Sequence, residues 1–233
     1  MRTLEWASPL AGISTKRWAL GLAVACLSAL PTSASVVNGD FSGGLGSWNT
    51  SGDVTSVSEA TLGDNGEIYS YLYQAVALAP GQYIIEFDFL NLLSSDLATD
   101  PNAFPDAFFA SLYFTNDLSS FDLLGTVPVD VMPLVDLESA GPVNVAGVLS
   151  PSAVGPDWTH FSMAFTNNFS YVIPTFELLD FNFASNDSSV SLDNVSITLD
   201  PAVVPIPEPA TMTLLGMGLA GCFLKRKRSA KSL

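Results

Sequence analysis

Ala79-Pro80-Gly81-Gln82-Tyr83-Ile84-Ile85-Glu86-Phe87-Asp88-Phe89-Leu90 is a turn followed by a strand. Pro-Gly stops whatever precedes it. Tyr83, Ile85, Phe87 and Phe89 then share one face of a period-2 segment, with Ile84, Glu86 and Asp88 on the other. The preceding stretch, 68–78, alternates weakly and is rich in aromatics, so the turn predicts an antiparallel pair between 68–78 and 83–90.

The same alternation recurs on both sides. Phe108, Ala110, Leu112 and Phe114 mark a strand over 108–115, and Phe161, Met163 and Phe165 mark one over 158–166. Further strands are expected at 36–41, 54–57, 123–131, 143–149, 171–183 and 190–199. Pro128, Pro133, Pro142 and Pro174 push their strands toward edges or bends, because proline has no N–H to give a ladder. Asn38-Gly39, the hairpin-like Asp64-Asn65-Gly66 and residues 116–122 read as turns. Residues 94–107 lack periodicity and read as a long loop. No internal repeat is visible, and outside the two ends no run has a helical period. About nine or ten short strands predict an all-β antiparallel sandwich or barrel.

The two ends have a different character. Residues 1–34 have the layout of a secretory signal peptide: Arg2, Lys16 and Arg17, then an apolar run from 18 to 30, then Pro31 and small residues suited to cleavage. Cys26 lacks the leucine three residues earlier that lipidation expects. The domain is placed at 35–200 and a proline-rich linker at 201–209. An uncharged run at 210–224 predicts a C-terminal transmembrane helix, and a basic tail covers 225–233. About 15 apolar residues give about 22 Å of helix, short of the usual span of about 20 residues. Lys225, Arg226, Lys227 and Arg228 form the cytoplasmic stop. Gly216 to Gly221 spell G-x-G-x-x-G, but no βαβ unit can follow so near the end, so a dinucleotide site is excluded.

Charge bounds the function. The chain has 233 residues, of which about 170 remain once both ends are removed, enough for one core. All 8 Lys and Arg residues lie before Trp18 or after Leu224, and of 23 acidic residues only Glu5 precedes Trp18, so residues 18–224 hold 22 carboxylates and no Lys or Arg. Ion pairs are therefore not expected inside the domain, and nucleic acid is excluded as a partner. Self-repulsion of this size opposes compaction, and salt or bound cations relieve it. Cys26 and Cys222 both sit in membrane-directed segments, so the domain has no disulfide. His160 is the only histidine, which rules out a zinc site built on several histidines.

The tail Pro207-Glu208-Pro209, the apolar run opening Ala210-Thr211 and the Lys/Arg end resemble the PEP-CTERM sorting signal. The resemblance covers about the last 27 residues. It implies recognition by the membrane protease-transpeptidase exosortase, a transient inner-membrane anchor, and delivery to the cell surface or the extracellular matrix. Within the domain, Asn38-Gly39-Asp40-Phe41 with the Gly-rich loop to Trp48, the segment 73–83, and Leu192-Asp193-Asn194-Val195-Ser196-Ile197 follow an order similar to carbohydrate-binding modules with a galactose-binding-like jelly roll. That resemblance implies a structural calcium joining the first strand to the last. Asp193 matches its last-strand ligand. The acid expected after the phenylalanine is replaced by Ser42, and Asp40 is the candidate substitute. No other cofactor is expected.

Several residues have two readings. Tyr69, Tyr71 and Tyr73 alternate, which ordinarily marks a core face; facing solvent, they and Trp48 would form a flat platform for stacking on sugar rings. Trp158 reads as core and His160 as solvent-facing. The acids of residues 96–106 read as a solvated loop, with calcium binding as the alternative. The sequons at Asn49, Asn168, Asn186 and Asn194 carry no weight in a bacterial protein of this kind. The expectation is an exported, non-catalytic glycan-binding or structural sandwich of a surface or matrix. The alternatives are a glycoside-active enzyme using a carboxylate pair and a calcium-dependent adhesin.

Overall fold

The computed structural model describes residues 35–94, 104–125, 130–181 and 187–202. The signal segment, the Pro-Glu-Pro motif, the apolar run and the basic tail lie outside the described residues, as do Asp96 and Asp100 of the acid-rich loop.

Thirteen strands account for the regular structure: β1 (Asn49–Ser51), β2 (Asp53–Ser56), β3 (Ala60–Gly63), β4 (Tyr69–Tyr73), β5 (Val76–Ala77), β6 (Gly81–Leu92), β7 (Ala107–Thr115), β8 (Asp130–Glu138), β9 (Gly141–Val145), β10 (Val148–Pro151), β11 (Thr159–Asn167), β12 (Tyr171–Leu179) and β13 (Ser189–Leu199). They form two antiparallel sheets. One runs β1-β4-β12-β7-β8-β9, with β5 also on β12; the other runs β10-β11-β6-β13-β3-β2. Among the described residues the helical content is one 3-10 turn, Leu118–Ser120, capped by Asp117. No helix among them is long and apolar enough to cross a membrane.

The alternating faces fill the space between the sheets. Ile85, Phe87 and Phe89 of β6 oppose Phe108, Ala110 and Leu112 of β7 and Leu72 of β4, each 2 % exposed or less. Phe176 of β12 joins the layers: its ring lies 5.1 Å from Phe87, 6.3 Å from Phe108 and 6.3 Å from Trp48. Aromatic contacts of this kind add to the area they bury.

The expected pairing across Pro80-Gly81 does not occur. β4 and β5 belong to one sheet and β6 to the other, so the turn crosses between layers. The same holds for Asp64-Asn65-Gly66, which leads from β3 in the six-stranded sheet to β4 in the seven-stranded one. In both cases the flanking strands turn their apolar faces toward each other across the core instead of lying side by side. Residues 36–41 form no strand. Asn38 and Phe41 take positive φ, at 54° and 49°. Gln74 clamps the segment instead: its Oε1 accepts from Val37 N–H, and its Nε2 donates to the carbonyls of Val37 and Ser47. The strand expected at 123–131 lies later, as β8.

Two prolines sit inside a sheet rather than at its edge. Pro133 lies where the β7–β8 register shifts, so the ladder is already interrupted there. Pro174 lies where β12 changes partner from β4 to β5. Its carbonyl accepts from Gln74 N–H, so its missing N–H faces the gap between those two short strands.

Candidate functional site

β4 places Ser70 and Leu72 in the core, 1 % and 0 % exposed, and turns Tyr69, Tyr71 and Tyr73 to the outer face. The core reading of these tyrosines is therefore overturned. Their rings follow one another at 5.3 Å and 6.1 Å, the second pair stacked. Phe121, just after the 3-10 turn, continues the series at 5.3 Å from Tyr73, and Tyr113 of β7 lies 5.7 Å from Phe121. The five rings form an arc over the outer side of the seven-stranded sheet.

Register defines what the arc surrounds. Tyr71 pairs with Glu177 of β12, Glu177 with Phe109 of β7, and Phe109 with Asp136 of β8. Directly opposite residues share a face. A carboxylate thus stands beside the tyrosines, with the Tyr69 hydroxyl near enough to favour its charged form. Burial pushes Glu177 above the ordinary carboxylate range, and the Tyr69 hydroxyl partly offsets this. Burial, then the neighbouring Glu177, push both the Tyr69 and Tyr113 phenols up.

This shift has a stability consequence. A carboxyl whose native pKa is raised binds its proton more tightly folded than unfolded, so stability falls as pH rises from the ordinary glutamate range through the raised one. Glu177→Gln keeps an acceptor for Tyr69 and removes the charge. We expect the variant to melt higher than the natural chain at neutral pH, with the difference vanishing in acid. A pH-independent difference would contradict a charged, half-buried Glu177.

The other anticipated residues are placed differently. Trp48 is a core residue, 7 % exposed, 5.3 Å from Phe41, with its indole N–H on the Asn38 carbonyl. It takes no part in the outer face. Trp158, read as core, is half-buried just ahead of β11. His160, read as solvent-facing, is half-buried, with Nδ1 3.0 Å from Asp88 and Nε2 3.8 Å from Glu86. Both contacts are ion pairs when the ring is protonated, and the one with Asp88 arises because His160 sits opposite Asp88 in the β11–β6 register.

Asp40 is exposed, and its Oδ1 accepts from Ser42 N–H and Oγ–H. Asp193 lies where the β13–β6 register shifts, next to Asn194 with φ 53°. Burial raises the Asp193 pKa; the Asn194 N–H opposes this, and Asp88, Asp40 and Glu59 add repulsion. Asp40 and Asp193 thus share one region of negative charge.

The compact acidic group among the described residues is elsewhere: Asp64, Asp106 and Asp187. Sequence reading assigned Asp64 to a turn and Asp106 to a solvated loop with calcium binding as its alternative, and passed over Asp187. It also missed Glu177, Tyr113 and Phe121. Glu177 had a signal, as the one acid inside the apolar run 171–179.

Residues 205–228 match the PEP-CTERM protein-sorting motif, so the tail is a sorting signal of that type. A search among curated proteins gives no match. In fold, the solved structures it is similar to include carbohydrate-binding-module jelly rolls. TmCBM61, solved in complex with beta-1,4-galactotriose, is 13 % identical over 72 % of this chain and all of its own length, at a TM-score of 0.41. A xylan-binding domain from CBM 22 is 10 % identical over 75 % of this chain and 100 % of that one, at 0.43. The enzymatically active domain of bacteriophage CBA120 tailspike protein 4 is 15 % identical over 72 % of this chain, at 0.44, and the match spans 21 % of the tailspike chain. At these identities and scores the ligands of those proteins do not transfer.

Proposed function

We propose that this chain is an exported protein, processed by exosortase at its PEP-CTERM tail, which serves at the cell surface or in the matrix by binding a polysaccharide on the outer face of its seven-stranded sheet. The observation that carries the glycan reading is the row Tyr69, Tyr71 and Tyr73. Aromatic rings half-open to solvent supply flat apolar area beside polar groups, which is what a pyranose ring presents in return. Glu177 and Asp136 are on the same face to accept hydrogen bonds from sugar hydroxyls. A neutral or basic glycan suits the face, because the domain's own charge repels an acidic one unless a divalent cation bridges the two.

The reading is binding rather than cleavage. Glu177 and Asp136, separated by the intervening strand with their backbones about 10 Å apart, serve this reading as hydrogen-bond acceptors; a glycosidase working with two carboxyl groups about 5–9.5 Å apart is the alternative that the test separates. The test is a glycan array probed with the natural chain and with Tyr71→Ala. Selective retention on one glycan class, lost in the variant, is the expected result. Turnover of a retained glycan that stops in Glu177→Gln would favour the enzyme instead.

A further inference from the structure

We propose that Asp64, Asp106 and Asp187 form a calcium site that ties the two sheets together at one rim. Asp64 directly follows β3, and Asp187 lies just ahead of β13, both in the six-stranded sheet; Asp106 directly precedes β7 of the other sheet. Each offers a carboxylate oxygen, and the three oxygens lie within 4.8 Å of one another. Calcium binds oxygens at about 2.3–2.6 Å, so two ligands on one ion stand at most about 5.2 Å apart. Each pair of the three oxygens is therefore within the reach of one such ion.

Burial distinguishes this cluster from an ordinary group of surface acids. Asp64 is 2 % exposed and Asp106 0 %. Asp64 Oδ2 accepts the backbone N–H groups of Asp187 and Ser188. Asp64 Oδ1 is also buried, yet no hydrogen-bond donor among the described residues reaches it. A buried carboxylate oxygen without a donor is costly unless a cation takes the donor's place. No lysine or arginine occurs between residues 18 and 224, so the surrounding strands and loops cannot supply that cation. The remaining lone pairs are arranged to hold the acids in place: Asp106 accepts from Phe181 N–H at 2.9 Å and from the Ser188 hydroxyl at 2.6 Å. An open cleft lined by Asp53, Gly63, Asp64, Asp187 and Ser188 gives an ion a way in.

This site is distinct from the Asp40–Asp193 region and does not depend on glycan binding. The test uses the full chain in detergent micelles, melted in calcium chloride, magnesium chloride and sodium chloride at matched ionic strength, with calcium titrated by calorimetry. Because the ion binds only the folded state, saturating calcium should raise the melting temperature by on the order of 5 °C beyond sodium chloride. Asp64→Asn should remove that rise, and so should Asp187→Asn, whose half-buried position makes it the variant best able to fold. Asp193→Asn should retain it. No calcium-specific rise in the natural chain overturns the proposal. So does a rise that persists in Asp187→Asn, or one that disappears only in Asp193→Asn.

Discussion

Phe176→Ala is expected to cost about 3–5 kcal/mol of stability, the usual range for a fully buried phenylalanine. Domains of this size have about 5–15 kcal/mol in total, so the variant should unfold at a much lower urea concentration. The ring is 0 % exposed and touches Trp48, Phe87 and Phe108, one partner from the N-terminal loop and one from each sheet. Its neighbours Leu72 and Ala110 are fully buried as well, and strands cannot close inward without breaking their ladders. The cavity therefore stays open, which places the cost toward the upper end of the range. A shift equivalent to less than about 1 kcal/mol, within what surface substitutions produce, would show that this ring is not at the centre of the inter-sheet core.

Gly39→Ala should be nearly as damaging for a different reason. A Cβ built on Gly39 would stand 1.8 Å from the Val195 carbonyl oxygen. That oxygen is backbone, and the two segments are locked by Val195 N–H donating to the Gly39 carbonyl at 2.9 Å. Neither side has a flexible end to move. The turn must lift off β13, which uncovers Phe41 and Trp48. A loss of about 2 kcal/mol or more is expected, in the class of strained backbone and core-opening changes. Gly46→Ala is the control, since nothing lies within 4 Å of its Cβ position. It should change stability by no more than about 0.5 kcal/mol. Equal melting temperatures for the two variants would contradict the close approach.

The core was legible wherever one face of a strand is apolar and the other is not, as with Phe108, Ala110, Leu112 and Phe114. It was misread where both phases are ambiguous. On β4 the bulky tyrosines suggested the core, yet the residue that enters it beside Leu72 is Ser70, whose hydroxyl donates to the Gly63 carbonyl at 2.7 Å. A small polar residue satisfied by backbone leaves no hydrophobic trace. Turn residues were recognised at Pro80-Gly81 and Asp64-Asn65-Gly66, but such residues set a local bend and not the sheet that the next strand joins. The crossovers were for that reason invisible. Asp64, Asp106 and Asp187 come from three distant places in the chain, and only the sheet topology brings them together. His160 on Asp88 has the same origin. Trp48 has no strand to declare its direction, and its burial follows from the Asn38–Phe41 turn that carries it inward.

Binding of the array's preferred oligosaccharide, titrated by calorimetry against the natural chain, Tyr71→Phe and Tyr71→Ala, tests the glycan reading most directly. Tyr71 is the middle ring of the row, 5.3 Å from Tyr69 and 6.1 Å from Tyr73. The ring, more than its hydroxyl, should carry the contact. Tyr71→Phe should bind within a few-fold of the natural chain, and Tyr71→Ala at least about tenfold more weakly, as expected for an aromatic hot spot. Equal affinity in all three proteins would contradict a glycan site on this face.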